Sequence, residues 1–99
     1  SCKDVVRYFI DRAVKYDPQI RSIISYNPKV FQRAQELDEY YAKNSKLMGK
    51  LHCVPMIVKD NIDIAGIPTT GGVNALRNSV PQKSALVINR LDSEGAIFL

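Results

Sequence analysis

The order of apolar patterns along this 99-residue chain predicts an α/β fold, two N-terminal helices followed by strand, loop, helix and strand. Apolar residues recur at helical spacing over residues 3–16 and 28–43. A short apolar run, Val54-Pro55-Met56-Ile57-Val58, is followed by turn residues, and a second one, Gly95-Ala96-Ile97-Phe98-Leu99, closes the sequence. Leu86, Val87, Ile88 and Leu91 lie between the two runs at helical spacing, so a parallel strand pair joined by a helical crossover is the natural solution. One domain is expected over 1–99, with residues 1–50 as a helical prelude packed on an α/β core formed by 51–99.

Each element has a local cause. The first helix is expected from about Lys3 to Tyr16, started by Ser1 and Asp4 in a capping-box arrangement and stopped by Asp17-Pro18. Its apolar stripe is Val5, Val6, Phe9, Ile10, Ala13 and Val14. Residues 20–26 carry β-branched Ile23 and Ile24 and read as extended, closed by the helix-start signal Asn27-Pro28. The second helix then runs from Pro28 to about Lys43 with Val30, Phe31, Ala34, Leu37 and Tyr41 inward and a Glu39–Lys43 pair outside. The five tyrosines read as core and interface packing. Residues 63–72 read as a loop or short ribbon, Ser84 as the N-cap of the third helix, and Gly95 as its stop.

Composition narrows the function classes. With 45% apolar and 24% charged residues this is an ordinary globular composition, and no apolar run approaches the roughly 20 residues that span a bilayer. The formal net charge of +4 comes from lysines and arginines scattered among acids. A nucleic-acid surface needs a concentrated basic stripe with stacking aromatics or a named module, so no direct nucleic-acid partner and no membrane partner are expected. Cys2 and Cys53 lie far apart and lack metal-ligand spacing, so no metal and no cofactor are expected. Cys53 reads as a small buried thiol, in keeping with a reduced, intracellular and cytoplasmic setting.

The chemistry concentrates at Lys59, an amine delivered by an apolar strand to the polar turn Asp60-Asn61. Burial disfavours an ammonium, so a lysine at the end of a buried strand can serve as a base. Acyl transfer also needs a hydroxyl nucleophile and oxyanion donors, and none of the serines sits in a glycine-flanked elbow. Asp60 and Asn61 are expected to organise the turn through side-chain to backbone hydrogen bonds. Thr69, Thr70, Gly71 and Gly72 read as loop structure and as candidates for the substrate-binding wall. His52 reads as a hydrogen-bonded structural residue.

The run Leu51-His52-Cys53-Val54-Pro55-Met56-Ile57-Val58-Lys59-Asp60-Asn61, followed by Pro68-Thr69-Thr70-Gly71-Gly72, closely resembles the N-terminal core of the amidase signature family. The resemblance reaches upstream to Phe9-Ile10-Asp11-Arg12 and Asn27-Pro28 and downstream to Leu99, nearly the whole chain. Cys53 stands where that family most often has glycine. The resemblance implies the N-terminal part of a mixed-sheet α/β/α fold and a Ser, cis-Ser, Lys triad in which Lys59 is the catalytic lysine. It also implies hydrolysis of a small-molecule amide through an acyl-serine, with both serines supplied by a Gly/Ser-rich stretch beyond this chain and the fragment itself inactive. Partners stay open between a homo-oligomer and the subunits of a tRNA-dependent amidotransferase whose glutaminase this would be. The rival of another class is a small, basic helical binding module made of residues 1–50.

Overall fold

The computed structural model describes all 99 residues and is an α/β arrangement built around one short parallel strand pair. The order is α1 (Cys2–Ile20), α2 (Val30–Asn44), β1 (Pro55–Met56), a single 3₁₀ turn (Asn74–Leu76), α3 (Leu86–Ser93) and β2 (Ile97–Phe98). Strands β1 and β2 pair in parallel, Pro55 opposite Ile97 and Met56 opposite Phe98, as the crossover argument requires.

The alternation of β2 divides the core into two layers. Ile97 is fully buried against Cys2, Val6, Val30, Ala34 and Leu37 of the two N-terminal helices. Its neighbours Ala96 and Phe98 project to the opposite face, where they meet Ile88 of α3 and the half-buried Met56, Val58 and Ile62. Helices therefore lie on both faces of the strand pair. Because Ile97 completes the apolar cluster of α1 and α2, residues 1–50 do not close a core by themselves.

Helix α1 starts as its sequence dictates. Ser1 Oγ accepts the Asp4 amide N–H at 3.2 Å while the Ser1 nitrogen donates to the Asp4 carboxylate, a complete capping box. The helix runs four residues past Tyr16, with Pro18 inside its last turn. A proline there omits one ladder bond and crowds the Val14 carbonyl, and the helix ends within one turn of it. Termination comes from Arg21, which turns left-handed at φ 54° and donates its N–H to the Asp17 carbonyl at 2.6 Å. The Asp17 carboxylate takes the N–H groups of Ser22 and Ile23, which would otherwise lack partners.

Residues 21–29 form no strand. Asn27 holds this segment by donating its backbone N–H to the Leu99 carbonyl at 2.7 Å and its side-chain amide to the Phe98 carbonyl at 2.9 Å. The same residue accepts the Lys29 N–H through Oδ1, and α2 begins at Val30 rather than Pro28. The buried stripes are narrower than the helical periodicity predicts. Val5, Phe9 and Val14 on α1 and Phe31 and Tyr41 on α2 are exposed, as are Leu86 and Val87 on α3. Tyr8, Tyr16 and Tyr26 are exposed as well, and Arg12 and Lys15 pack over the Tyr16 ring instead of a core closing on it. Glu39 accepts from Gln35 at 2.7 Å and makes no ion pair with Lys43. Ser84 is not an N-cap; Ala85 holds that position, and Ser84 Oγ accepts the Ala65 N–H at 2.9 Å, fastening the long loop to α3.

Gly95 ends α3 at φ +90°, and a β-carbon there would lie 2.8 Å from the His52 Cα. Both the left-handed conformation and the backbone contact exclude a side chain. Gly95→Ala is expected to destabilise the fold by about 2–3 kcal/mol, read as a lower urea midpoint at unchanged slope.

The two cysteines correct the sequence reading. Cys2 and Cys53, 51 residues apart, are joined as a disulfide that fastens the first turn of α1 to the turn entering β1. Cys53 is thus not a free thiol. Tertiary packing brings together what no local pattern joins, because Cys2 lies in the α1–α2 cluster and Cys53 packs against that same cluster. Cys53 is also left-handed, at φ 67°, a conformation that glycine adopts freely.

Candidate active site

Strand β1 is two residues long, so Lys59 does not end a buried strand. It lies three residues beyond β1, its carbonyl accepts the Ile62 N–H at 3.0 Å in the following turn, and it is exposed within this chain. Only Val54 and Met56 have carbonyls that meet β2, accepting from Ile97 at 2.9 Å and Leu99 at 3.0 Å. Beyond Met56 the chain carries Lys59 into the lining of a cleft of about 600 Å3. That volume lies within the range of small-molecule sites. The walls are residues 22–25, 57–62, 67–69, 71–72 and 98–99, with Ile64 beneath.

Asp60 fastens the loop opposite Lys59. Its Oδ1 accepts the Thr70 N–H at 2.8 Å, its Oδ2 accepts the Thr70 hydroxyl and, at 3.4 Å, the Gly72 N–H, and its carbonyl accepts the Gly71 N–H at 2.7 Å. These donors pull the Asp60 carboxyl below the usual carboxylate range, the Thr70 hydroxyl contributing most and the Thr70 amide next. The turn they hold is formed by Gly71 at φ 57° and Gly72 at φ 76°, two consecutive left-handed residues. Asp60 therefore acts on backbone groups, as its sequence context predicts, though across ten residues and not within its own turn. Asn61 is exposed and its side chain makes no hydrogen bond.

The sign of the Asp60 effect follows from that direction. A carboxyl whose folded pKa is lowered stabilises the fold above its unfolded value of about 3.9, and the contribution is lost as pH falls through the folded value. Acidifying from about pH 6 to pH 2 is expected to lower the thermal midpoint of the wild type more than that of Asp60→Asn, by differential scanning calorimetry.

Thr69, Gly71 and Gly72 line the cleft with Lys59, whereas Thr70 is turned to Asp60. Ser22 and Ser25 also line it, and nothing in the sequence marks them, because the irregular segment 21–29 reaches the cleft only through the Asn27 bonds to β2. No serine in these residues stands in a nucleophile elbow beside Lys59.

A second constellation lies at the opposite end of β1. The His52 Nδ1 accepts the Met48 N–H at 3.1 Å, and its Nε2 stands 3.7 Å from the Cys2 sulfur. One ligand atom each from Cys2, His52 and Cys53 falls within 4.8 Å of the others, a juxtaposition the sequence spacing does not reveal. Both sulfurs are spent on each other, and the imidazole lone pair on Met48, so this donor set does not fit a metal ion in the bonded state.

No helix of the chain is long and apolar enough to cross a membrane. The sequence model of the Amidase family matches residues 4–99. A Schizosaccharomyces pombe protein provisionally named an amidase is 37% identical over 96 residues, which cover 96% of this chain and 16% of that protein. A glutamyl-tRNA(Gln) amidotransferase subunit from Staphylococcus aureus is 36% identical over 97 residues, covering 97% of this chain and 20% of its own length. The peptide amidase of Stenotrophomonas maltophilia superposes on the whole chain with a TM-score of 0.92 and 30% identity, again over 20% of its own length. The chain thus spans about a fifth of the length of the relatives it matches.

Proposed function

This chain belongs to the amidase family, and from that premise we propose that it is the N-terminal part of a longer serine hydrolase that cleaves carboxamides, with Lys59 as its base. The observation that carries the proposal is the position of Lys59 in a cleft whose facing loop is fastened by the adjacent Asp60. Fixing the neighbouring backbone fixes the direction from which the amine reaches the cleft. The serines and the oxyanion donors come from outside these 99 residues, and the segments that bring them also cover Lys59 and exclude water from it.

In this reading the nucleophilic serine oxygen bonds to the amide carbon while its proton passes through the second serine to the Lys59 amine. Collapse of the tetrahedral intermediate breaks the C–N bond, the Lys59 ammonium returns its proton through the second serine to the departing nitrogen, and ammonia or an amine leaves an acyl-serine that water hydrolyses. Thr69, Gly71 and Gly72 form the substrate wall beside the amine, and Thr70 holds that wall in place. Binding needs no cofactor or metal.

The identity to an amidotransferase subunit favours a second reading within the same chemistry, in which glutamine is the amide and ammonia passes to partner subunits. Hydrolysis by the complete protein across aliphatic, aromatic and peptide amides and glutamine tests both. Turnover of simple amides supports a general amidase, turnover confined to glutamine supports the glutaminase, and no turnover of any amide would sink the assignment.

A further inference from the structure

We propose that the Cys2–Cys53 bond is redox-addressable, opened by low-molecular-weight thiols that attack and modify Cys53 while Cys2 departs as the thiolate. The two sulfurs differ in access and in surroundings. Cys2 is 1% exposed, whereas Cys53 is half-buried at the turn into β1. Within this chain Cys53 is the more accessible of the two cysteines.

The surroundings of Cys2 suit a leaving group. A backbone amide only donates, so the Met48 N–H directed at His52 Nδ1 leaves that nitrogen unprotonated. The neutral ring then carries its proton on Nε2, the atom 3.7 Å from the Cys2 sulfur. An N–H directed at the sulfur stabilises the departing thiolate, and a better leaving thiolate speeds exchange. The helix end adds little, because the Asp38 carboxylate already occupies the Cys2 and Lys3 N–H groups.

Cys53 carries a second mark. At φ 67° it holds a β-carbon in a conformation that glycine takes without cost, and what a cysteine adds at that position is the sulfur. The turn does not depend on the disulfide for its backbone, since Cys53 donates its N–H to the Gly95 carbonyl at 3.1 Å and Val54 donates to Leu51 at 2.9 Å. Opening the bond frees α1 from the turn and leaves the turn in place.

The exchange balances. A thiolate RS⁻ forms a bond to the Cys53 sulfur, the Cys53–Cys2 bond breaks, and the electron pair leaves on Cys2. A second RS⁻ attacks the R-bearing sulfur, giving RSSR and the Cys53 thiolate. Two thiols are oxidised and the protein disulfide is reduced; RSSR drives the reverse.

The complete protein would be equilibrated in buffers of reduced and oxidised glutathione, quenched in acid, alkylated and mapped by peptide mass spectrometry. The expected result is that Cys2 and Cys53 open together as the ratio of reduced to oxidised glutathione is raised, and that the transient mixed disulfide lies on Cys53 in about tenfold excess over Cys2. His52→Asn keeps an acceptor for Met48 but has no Nε2–H, and is expected to slow opening about tenfold. A bond that stays closed in excess reduced glutathione while the denatured protein is fully reduced would mean a purely structural disulfide. Glutathione found mainly on Cys2 in the wild type would overturn the assignment independently of any variant.

Discussion

Lys59→Ala in the complete protein is expected to lower kcat by about 10²–10⁴-fold with the fold intact, the loss that follows removal of a general base. Three features of the chain lead to this expectation. The amine lines the cleft, the Asp60 carboxylate beside it is fully committed to the facing loop, and the only histidine is spent on Met48 at the far end of β1. No other lysine, arginine or histidine of these 99 residues lines the cleft. Lys59→Arg separates a base from a fixed charge, because a guanidinium stays protonated and cannot accept the serine proton. Turnover as low as that of the alanine variant is expected for arginine, with KM changed little in both. Recovery of activity by arginine would show that position 59 supplies charge to the substrate and that the proton goes elsewhere.

Cys2→Ser is expected to cost the oxidised protein about 4 kcal/mol, the value for a closed loop of this length in the chain-entropy account. The disulfide spans 51 residues and includes both helices and the approach to β1, so its loss frees a large part of the unfolded chain. The substitution also places a hydroxyl in a cluster of Val6, Val30, Ala34, Leu37 and Ile97. Urea unfolding with and without a strong reductant checks both contributions. Wild type and variant should differ widely when oxidised and converge when reduced, apart from the cost of the buried hydroxyl. Equal stability in oxidising buffer would mean that the bond does not restrain the unfolded state.

Where one local force acts alone, the sequence is a sufficient guide. Ser1 and Asp4 can satisfy each other without tertiary help, and Gly95 is the one residue type that fits its angle and its distance from His52. The Lys59 cleft is legible only in part. The motif marks the lysine and the Thr69–Gly72 loop, but not Ser22 and Ser25, which line the same cleft from a segment tied to Phe98 and Leu99 through Asn27. Local signals failed where a distant group competed. Ser84 left its own helix to take the amide of Ala65, nineteen residues away. The cysteine pairing is invisible at a separation of 51 because it depends on how two elements pack. The expectation of a free thiol at Cys53 rested on that missing contact.

His52 sits where several of these features meet: its ring lies between Met48 and the disulfide, and its Cα is in contact distance of the site where Gly95 has no side chain. It is also the single histidine of the 99 residues. The imidazole proton resonances of this segment are therefore one uncrowded set, placed within a few ångströms of the sulfur whose state is in question. Nuclear magnetic resonance on histidine-labelled complete protein, with the His52 resonances identified by their loss in His52→Asn, would follow bond opening and the fit of the α3–β2 turn through one side chain, without attaching a probe to either cysteine.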